Sequence, residues 1–225
     1  MAQAATIRMV GPESDVYPKP LSHRERGGRQ AGVRATAKGD VERILAQVAP
    51  APRRSSRPAL AVLVGLPGSG KSTVAEVLRA RMGCVVLESD ALRRLLVARP
   101  TYSSTESRRL FEAIHEAIAA LLAEGVSVVL DATNVAESER APLYDIAEQA
   151  NARLVLVQVT APEPTIRRRL AGRHENADGG SDANLDVYER MQSRVEEIQR
   201  PHHLVDTSKE VAPVLDAVAK EMMGT

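Results

Sequence analysis

The chain has 225 residues, of which 44% are hydrophobic and 26% are charged, a composition typical of a soluble globular protein. It contains no apolar run of roughly 18 residues, as a membrane-spanning helix requires, and no signal-peptide stretch, so we expect a cytoplasmic protein that binds no membrane. Cys84 is the single cysteine, which excludes a disulfide within the chain. With one Phe, four Tyr and no Trp, the core must be aliphatic, which suits parallel strands buried on both faces.

The net charge of +1 hides a difference between two parts of the chain. Residues 1–58 hold eleven Lys or Arg and five Asp or Glu, whereas residues 59–225 hold 19 basic and 24 acidic residues. Within the first part only Asp40 to Val48 has helical periodicity, and Pro50 to Pro58 has the composition of a linker. We predict a flexible basic leader with one short helix over 1–58 and one folded domain over 59–225.

After Pro58, strands alternate with helices. The predicted strands are Ala59 to Leu66, Val85 to Leu87, Val126 to Asp131, Leu154 to Thr160 and His203 to Asp206. The predicted helices are Ser72 to Met82, Ala91 to Val97, Thr105 to Glu124, Glu137 to Ala150, Pro164 to Gly172, Asn184 to Arg200 and Val211 to Met222. This order predicts an α/β fold with right-handed crossovers and a parallel sheet covered on both faces.

The first chemical motif matches the phosphate-binding P-loop pattern at every fixed position. It comprises Gly65, Leu66, Pro67, Gly68, Ser69, Gly70, Lys71 and Ser72, with Thr73 next to it. Its glycines let consecutive N–H groups face one phosphate chain, at the positive end of the following helix. Lys71 is expected to reach the β- and γ-phosphates of ATP, and the Ser72 hydroxyl to bind Mg²⁺.

The second motif, Asp90 and Arg93, follows the second predicted strand. Ligands of open parallel sheets bind beyond the carboxyl ends of the strands, so both residues should lie near the P-loop. Asp90 would accept the proton of an attacking hydroxyl, and Arg93 would hold an anion of the substrate. The alternative is that Asp90 only caps the helix from Ala91 to Val97.

The third motif ends the third strand. Asp131 has the position of a Walker-B carboxylate, which shares Mg²⁺ with the P-loop serine. Thr133 and Asn134 come directly afterwards and are candidates for substrate binding. The alternative is a turn in which Asp131 and Asn134 have only a capping role.

A fourth motif lies on a basic helix, where Arg169 and Arg173 are four residues apart and share a face. On a lid, the two guanidinium groups would neutralise charge during phosphoryl transfer, and Asn176 to Asp182 has the composition of a flexible lid segment. Taken alone, the arginines would indicate a solvated face. The Asp206-to-Ser208 segment lies near the expected place of adenine. No zinc spacing is present, so Mg²⁺ is the only metal expected.

Together these motifs resemble the P-loop kinases related to the kinase domain of bacteriophage polynucleotide kinase, a set that includes gluconate-kinase-like and zeta-toxin-like proteins. The resemblance extends from Leu60 to Asp206. It implies a three-layer α/β/α sandwich with a five-stranded parallel sheet in the order 2-3-1-4-5. It also implies that Asp90 is the general base, that Arg93 contacts an acceptor phosphate, and that Arg169 and Arg173 are the lid arginines.

The predicted function is therefore ATP-dependent transfer of the γ-phosphate to a hydroxyl acceptor. A small metabolite is favoured over a polynucleotide 5′-hydroxyl, because the domain is acidic and poor in aromatic residues. Two alternatives remain open. One is a switch or regulatory module that hydrolyses ATP slowly, and the other is a kinase of the toxin type.

Overall fold

The computed structural model describes residues 39–48, 53–175 and 185–225. Its strands are β1 (Ala59–Val64), β2 (Val85–Glu88), β3 (Val128–Asp131), β4 (Arg153–Thr160) and β5 (His203–Asp206). Its helices are α1 (residues 39–45), α2 (Lys71–Met82), α3 (Ser89–Leu96), α4 (Ser104–Ala123), α5 (Glu137–Gln149), α6 (Glu163–Glu175), α7 (Leu185–Gln192) and α8 (Ala212–Met223). The predicted alternation of strands and helices is confirmed.

The five strands pair in parallel in the order β2-β3-β1-β4-β5. This is the order that the resemblance to P-loop kinases implies, and it is confirmed. β1 lies at the centre, and all six of its residues are buried. Such a strand reads as a continuous apolar run because helices cover both faces of the sheet.

Each face of the sheet has its own core. Successive side chains of a strand point to opposite faces, so the even-numbered residues of β1 belong to one core and the odd-numbered residues to the other. The first core is closed by α1, α3, α4 and α5, and the second by α2 and α8. A smaller third core joins α6 to α7.

Helix α1, which the sequence places in the leader, packs on the first core. Ile44 is completely buried there. Asp40 is also buried and accepts hydrogen bonds from Arg109 of α4 at 2.6 and 2.9 Å, and Arg43 donates to the carbonyl of Leu95. Residues 39–48 are therefore part of the packed body. Residues 1–38 of the predicted leader lie outside the described residues.

Part of the predicted linker also contacts the domain. Arg54 forms an antiparallel bridge with Val126, and the N–H of Ser55 donates to the carbonyl of Gly125 at 2.7 Å. Residues 49–52 lie outside the described ranges. The chain thus reaches β1 in contact with the residues that lead into β3.

The prediction of one helix from Asn184 to Arg200 is wrong beyond Gln192, where α7 ends. The N–H of Glu196 donates to the carbonyl of Val135 at 3.0 Å. Arg140 donates to the carbonyls of Glu196 and Glu197 at 3.4 and 3.2 Å. The backbone groups after Gln192 therefore make hydrogen bonds to other segments instead of the i to i−4 bonds of a helix. These tertiary contacts override the amphipathic pattern, which alone predicts a longer helix.

The carboxyl ends of the strands lie along one edge of the sheet, as a parallel arrangement requires. Glu88 at the end of β2 is the register partner of Asp131 at the end of β3. The P-loop leaves β1, the neighbour of β3. No helix in the described part of the chain is both long and apolar enough to cross a membrane.

Candidate active site

The loop between β1 and α2 has a backbone shaped by its glycines. Gly68 and Gly70 have φ values of 78° and 100°, a region that residues with a side chain rarely adopt. A Cβ atom on Gly65 would lie 2.3 Å from the carbonyl oxygen of Val159. All three positions therefore require glycine, two for conformation and one because β4 passes too close.

The same loop offers donors to an anion. Helix α2 begins at Lys71, and no side chain caps its N-terminus, so its first N–H groups can bind an anion. The Ser69 hydroxyl is buried and has no hydrogen-bond partner among the described residues. Nζ of Lys71 donates to the carbonyl of Leu66 at 3.0 Å, which holds the ammonium group over the loop. These features fit a bound triphosphate.

A first cavity, of about 460 Å³, lies beside the P-loop. Val74 and Val77 of α2, Val211 and Leu215 at the start of α8, and Thr207 after β5 line it. Apolar side chains from two helices suit the flat faces of a nucleobase. The segment after the last strand, where the sequence analysis expected adenine, does contribute to this wall.

Arg169 of α6 holds three segments together at the edge of the first cavity. Its Nη1 donates to the carbonyls of Gly68 and Ser69 at 3.2 and 3.3 Å. Nη1 and Nη2 also donate to the hydroxyl and the carbonyl of Thr207, at 2.8 and 3.1 Å. The guanidinium therefore contacts the backbone of the P-loop and ties α6 to it.

The second predicted lid arginine, Arg173, lies one helical turn further along α6. Its side chain is outside the described part of the structure, as are residues 176–184, which contain the predicted lid segment from Asn176 to Asp182. The paired role of Arg169 and Arg173 stays a prediction.

A second cavity, of about 740 Å³, opens from the same loop. Nine of the residues selected from the sequence line it, namely Pro67, Gly68, Gly70, Lys71, Ser72, Asp90, Arg93, Asp131 and Thr133. They meet because β2, β3 and β1 end side by side, and Asp90 lies two residues beyond the register partner of Asp131. The second cavity therefore joins the triphosphate-binding loop to the carboxylates at the strand ends.

Asp90 does not occupy the capping position that the alternative interpretation gave it. The N-cap of α3 is Glu88, which has extended backbone angles and makes no capping hydrogen bond through its side chain. Asp90 lies within the first helical turn and on the wall of the second cavity. The position of Asp90 on the cavity wall thus favours contact with a ligand over a role in helix capping.

Arg93 is 6% exposed and is fixed by three contacts. Its Nη1 donates to Oε1 of Glu106 at 2.5 Å, and Nη2 to the Ser107 hydroxyl at 3.3 Å. The guanidinium lies 4.6 Å from the centroid of the Tyr102 ring. Its Nε is buried with no hydrogen-bond partner in the described ranges. The guanidinium is thus held rigidly on the wall of the second cavity with its Nε donor unsatisfied by the described residues.

Glu106 balances the charge of Arg93. Burial alone would raise the pKa of Glu106, but hydrogen bonds from the N–H and hydroxyl of Thr101, at 2.7 and 2.8 Å, and the ion pair with Arg93 lower its pKa to about 2. The carboxylate therefore stays ionised at neutral pH. It also ties the connection between α3 and α4 to the start of α4.

Ser72 and Asp131 both face the second cavity, and Asp131 is 5% exposed. No cluster of three or more His, Cys, Asp or Glu side chains able to hold a metal occurs within residues 39–48, 53–175 and 185–225. A hydroxyl and one carboxylate fit Mg²⁺, which keeps waters and takes further ligands from bound phosphates.

Thr133 and Asn134 have different environments although they are adjacent. Thr133 lines the second cavity, and its carbonyl accepts the N–H of Gly65 at 2.9 Å. Asn134 is 3% exposed, and its Nδ2 donates to the carbonyl of Leu63 at 2.8 Å. Its amide is thus used to hold the loop after β3 against β1 rather than facing the cavity.

The sequence analysis missed the wall that α7 contributes. Val187, Arg190 and Met191 of α7 line the second cavity, and Arg194, two residues after the end of the helix, lines it as well. The spacing of four between Arg190 and Arg194 is the same signal that selected Arg169 and Arg173. Nothing in the sequence, however, shows that α7 and the residues after it lie beside the P-loop.

Comparison with known proteins places the chain in a family. A family model described as an AAA domain matches residues 60–198. No curated protein matches the chain. Among solved structures, the APS kinase CysC of Mycobacterium tuberculosis in complex with AMPPNP and APS is similar, with 21% identity, a TM-score of 0.57, and coverage of 76% of this chain and 100% of its own.

Two further solved structures agree in fold. Kti12 of Chaetomium thermophilum, in complex with ADP-AlF3, has 23% identity and a TM-score of 0.58, covering 73% of this chain and 97% of its own. A gluconokinase from Sinorhizobium meliloti 1021 has 20% identity and a TM-score of 0.50, covering 76% and 94%. The resemblance to P-loop kinases is confirmed, and the chain belongs to the AAA domain family, with the fold of the small P-loop kinases.

Proposed function

We propose that the protein is an ATP-dependent phosphotransferase that moves the γ-phosphate of ATP to a hydroxyl group of a small molecule. The observation that carries this proposal is the content of the second cavity. It brings Lys71, Ser72 and Asp131, which suit a Mg²⁺-bound triphosphate, together with Asp90, which suits an acceptor.

ATP would lie across the P-loop, with its base in the first cavity. Lys71 would hold the β- and γ-phosphates, and Ser72 and Asp131 would bind Mg²⁺. The metal would offset the negative charge of the phosphates. Arg169 would keep α6 against the loop, and with Arg173 would stabilise charge on the transferring group.

Asp90 would orient the acceptor hydroxyl and take its proton. A bond then forms between the acceptor oxygen and the γ-phosphorus, while the bond from that phosphorus to the bridging oxygen of ADP breaks. The products are ADP and a phosphate monoester. Arg93, which keeps one unpartnered buried donor, would bind the acceptor beside Asp90, and Thr133 would contribute a hydroxyl.

A switch that only hydrolyses ATP needs no acceptor pocket. The presence of Asp90 and Arg93 on a cavity of about 740 Å³, beyond the phosphate-binding loop, favours transfer to an acceptor. This volume matches small-molecule sites, which measure about 300–1,000 Å³. It therefore supports a small acceptor over a polynucleotide.

The experiment uses γ-labelled ATP with fractionated metabolites and an oligonucleotide pool. We expect label on a small molecule with the wild-type protein and none with Lys71→Ala. Asp90→Ala should bind ATP normally but transfer at least about a hundredfold more slowly, the usual scale for a general base.

Equal turnover by Asp90→Ala and the wild type would exclude that residue as the base. Label on RNA or DNA 5′ ends would replace the small acceptor by a polynucleotide. Steady release of inorganic phosphate, with no labelled acceptor from either pool, would indicate the switch.

A further inference from the structure

Two arginines of the second cavity have carboxylate partners. Arg93 pairs with Glu106 at 2.5 Å, and Arg194 pairs with Glu139 at 3.1 Å. Their charges are thus largely compensated by the protein itself. A ligand would gain hydrogen bonds from them but little net attraction of charge.

Arg190 differs from these two. It is an exposed residue of α7 that also lines the second cavity. Its Nε donates to the backbone carbonyl of Asp186 at 3.2 Å, and the described part of the chain supplies no carboxylate within ion-pair distance. The two terminal nitrogens of the guanidinium remain available in a planar fork, the geometry that binds a carboxylate or a phosphate with two hydrogen bonds.

The helix that carries Arg190 is anchored. Tyr188, two residues earlier, is 2% exposed in the third core between α6 and α7. Val187 and Met191 lie on the same helical face as Arg190 and also line the second cavity. α7 therefore contributes an apolar surface with one uncompensated positive charge.

Carboxylates line the second cavity where the strands end. Glu88, Asp90 and Asp131 line the second cavity at the ends of β2 and β3. A carboxylate can accept a hydrogen bond from a hydroxyl group, whereas the guanidinium of Arg190 on the α7 wall attracts an anionic group. A ligand with a hydroxyl at one end and an anion at the other would thus have one preferred orientation.

We propose that Arg190 binds a carboxylate or phosphate group of the acceptor, while the hydroxyl of the acceptor lies at Asp90. This assignment rests on the proposed function, because it takes the second cavity as the acceptor site. It makes Arg190 a specificity-determining residue that selects acidic acceptors over neutral ones.

The first experiment requires no turnover. The full-length protein, saturated with AMPPNP and Mg²⁺ to fill the P-loop, is titrated by calorimetry with inorganic phosphate and, separately, with gluconate. We expect Arg190→Ala to weaken binding of at least one of these anions by about tenfold or more, the scale of a charge-assisted hydrogen-bond pair. Arg108→Ala removes an exposed arginine of α4 outside both cavities and should bind like the wild type.

The second experiment separates acceptor binding from catalysis. Transfer is measured to acceptor pairs that differ in one anionic group, such as glycerol and glycerol phosphate, or glucose and gluconate. Arg190→Ala should raise KM about tenfold for acidic acceptors with little change in kcat, and should leave neutral acceptors unchanged. Arg190→Lys keeps the charge without the fork and should give an intermediate KM.

Three outcomes would overturn the proposal. In the first, the AMPPNP-saturated wild type binds neither anion. In the second, Arg190→Ala binds them as tightly as the wild type. In the third, Arg190→Ala lowers kcat equally for acidic and neutral acceptors, because Arg190 then acts on the transferring phosphoryl group. If no acceptor is phosphorylated but anion binding still depends on Arg190, the phosphotransferase proposal fails and the anion site stands.

Discussion

At the scale of single residues, the P-loop glycines and Asn134 are each held in place by a backbone constraint. The glycines of the P-loop are set by backbone conformation and by the approach of β4, so their pattern is visible in the sequence alone. Asn134 was selected because it follows Asp131, yet its amide holds the carbonyl of Leu63. Which way such a side chain points depends on strands that are distant in sequence.

The first prediction concerns Glu106, whose low pKa makes a contribution to stability that depends on pH. Glu106→Gln should lower the free energy of unfolding at pH 7 by about 3 kcal/mol, the scale for removing one partner of a buried ion pair. The reason is that Arg93 would stay buried without its counter-charge. Urea unfolding of both proteins measures the difference.

The sign of the pH dependence follows from the direction of the shift. The pKa of Glu106 is lowered on folding from 4.5 to about 2, so its stabilising contribution is complete above pH 4.5 and is lost as the pH falls towards 2. The difference in the free energy of unfolding between the wild type and Glu106→Gln should therefore decrease as the pH falls from 4.5 towards 2. A difference in the free energy of unfolding that stays constant between pH 7 and pH 2 would contradict the lowered pKa of Glu106.

At the scale of secondary-structure elements, the periodic pattern predicted the helices but not every helix end. α7 stops at Gln192, and the chain then crosses to the start of α5. Arg140, which is completely buried, determines this crossing. Its guanidinium donates to the carbonyls of Asn134, Val135, Glu196 and Glu197 and to the carboxylate of Glu137. One side chain thus joins the loop after β3 to the segment after α7.

The second prediction is that Arg140→Ala destabilises the protein by about 3 kcal/mol or more, because four carbonyls, two of them in buried hydrogen bonds, lose a donor and a cavity remains. Arg140→Lys should cost nearly as much, since one ammonium group cannot reach all the acceptors. Arg168→Ala, which removes an exposed arginine of α6, should change the free energy of unfolding by less than about 0.5 kcal/mol. Denaturant unfolding measures the three variants. If Arg140→Lys is as stable as Arg168→Ala, the hydrogen bonds of the Arg140 guanidinium are not needed for stability.

At the scale of the whole molecule, the domain is larger than its family match. That match begins at residue 60. Helix α1, which lies before it, packs on the first core through Ile44 and forms an ion pair between Asp40 and Arg109 of α4. α1 contacts α3 and α4, which carry Arg93 and Glu106. The segment before β1 therefore supports the helices at one wall of the second cavity.

The third prediction tests this support. Ile44→Ala should lower the free energy of unfolding by about 3 kcal/mol, as removal of a fully buried aliphatic side chain does. Gln47→Ala, at an exposed position close by, serves as the control and should have little effect. If both variants unfold at the same denaturant concentration as the wild type, residues 39–48 do not contribute to the folded body in solution.

The sequence by itself determined the P-loop, the order of strands and helices, and the carboxylates at the strand ends. Each of these follows from local rules: glycine conformation, apolar periodicity, and the fact that parallel strands end at one edge. Only the tertiary structure decided that Arg169 contacts the P-loop backbone, that Asn134 is buried, that α7 ends early and that Arg190 lines the second cavity. Those features depend on contacts between residues far apart in the chain, and periodicity within a single helix does not specify its neighbour.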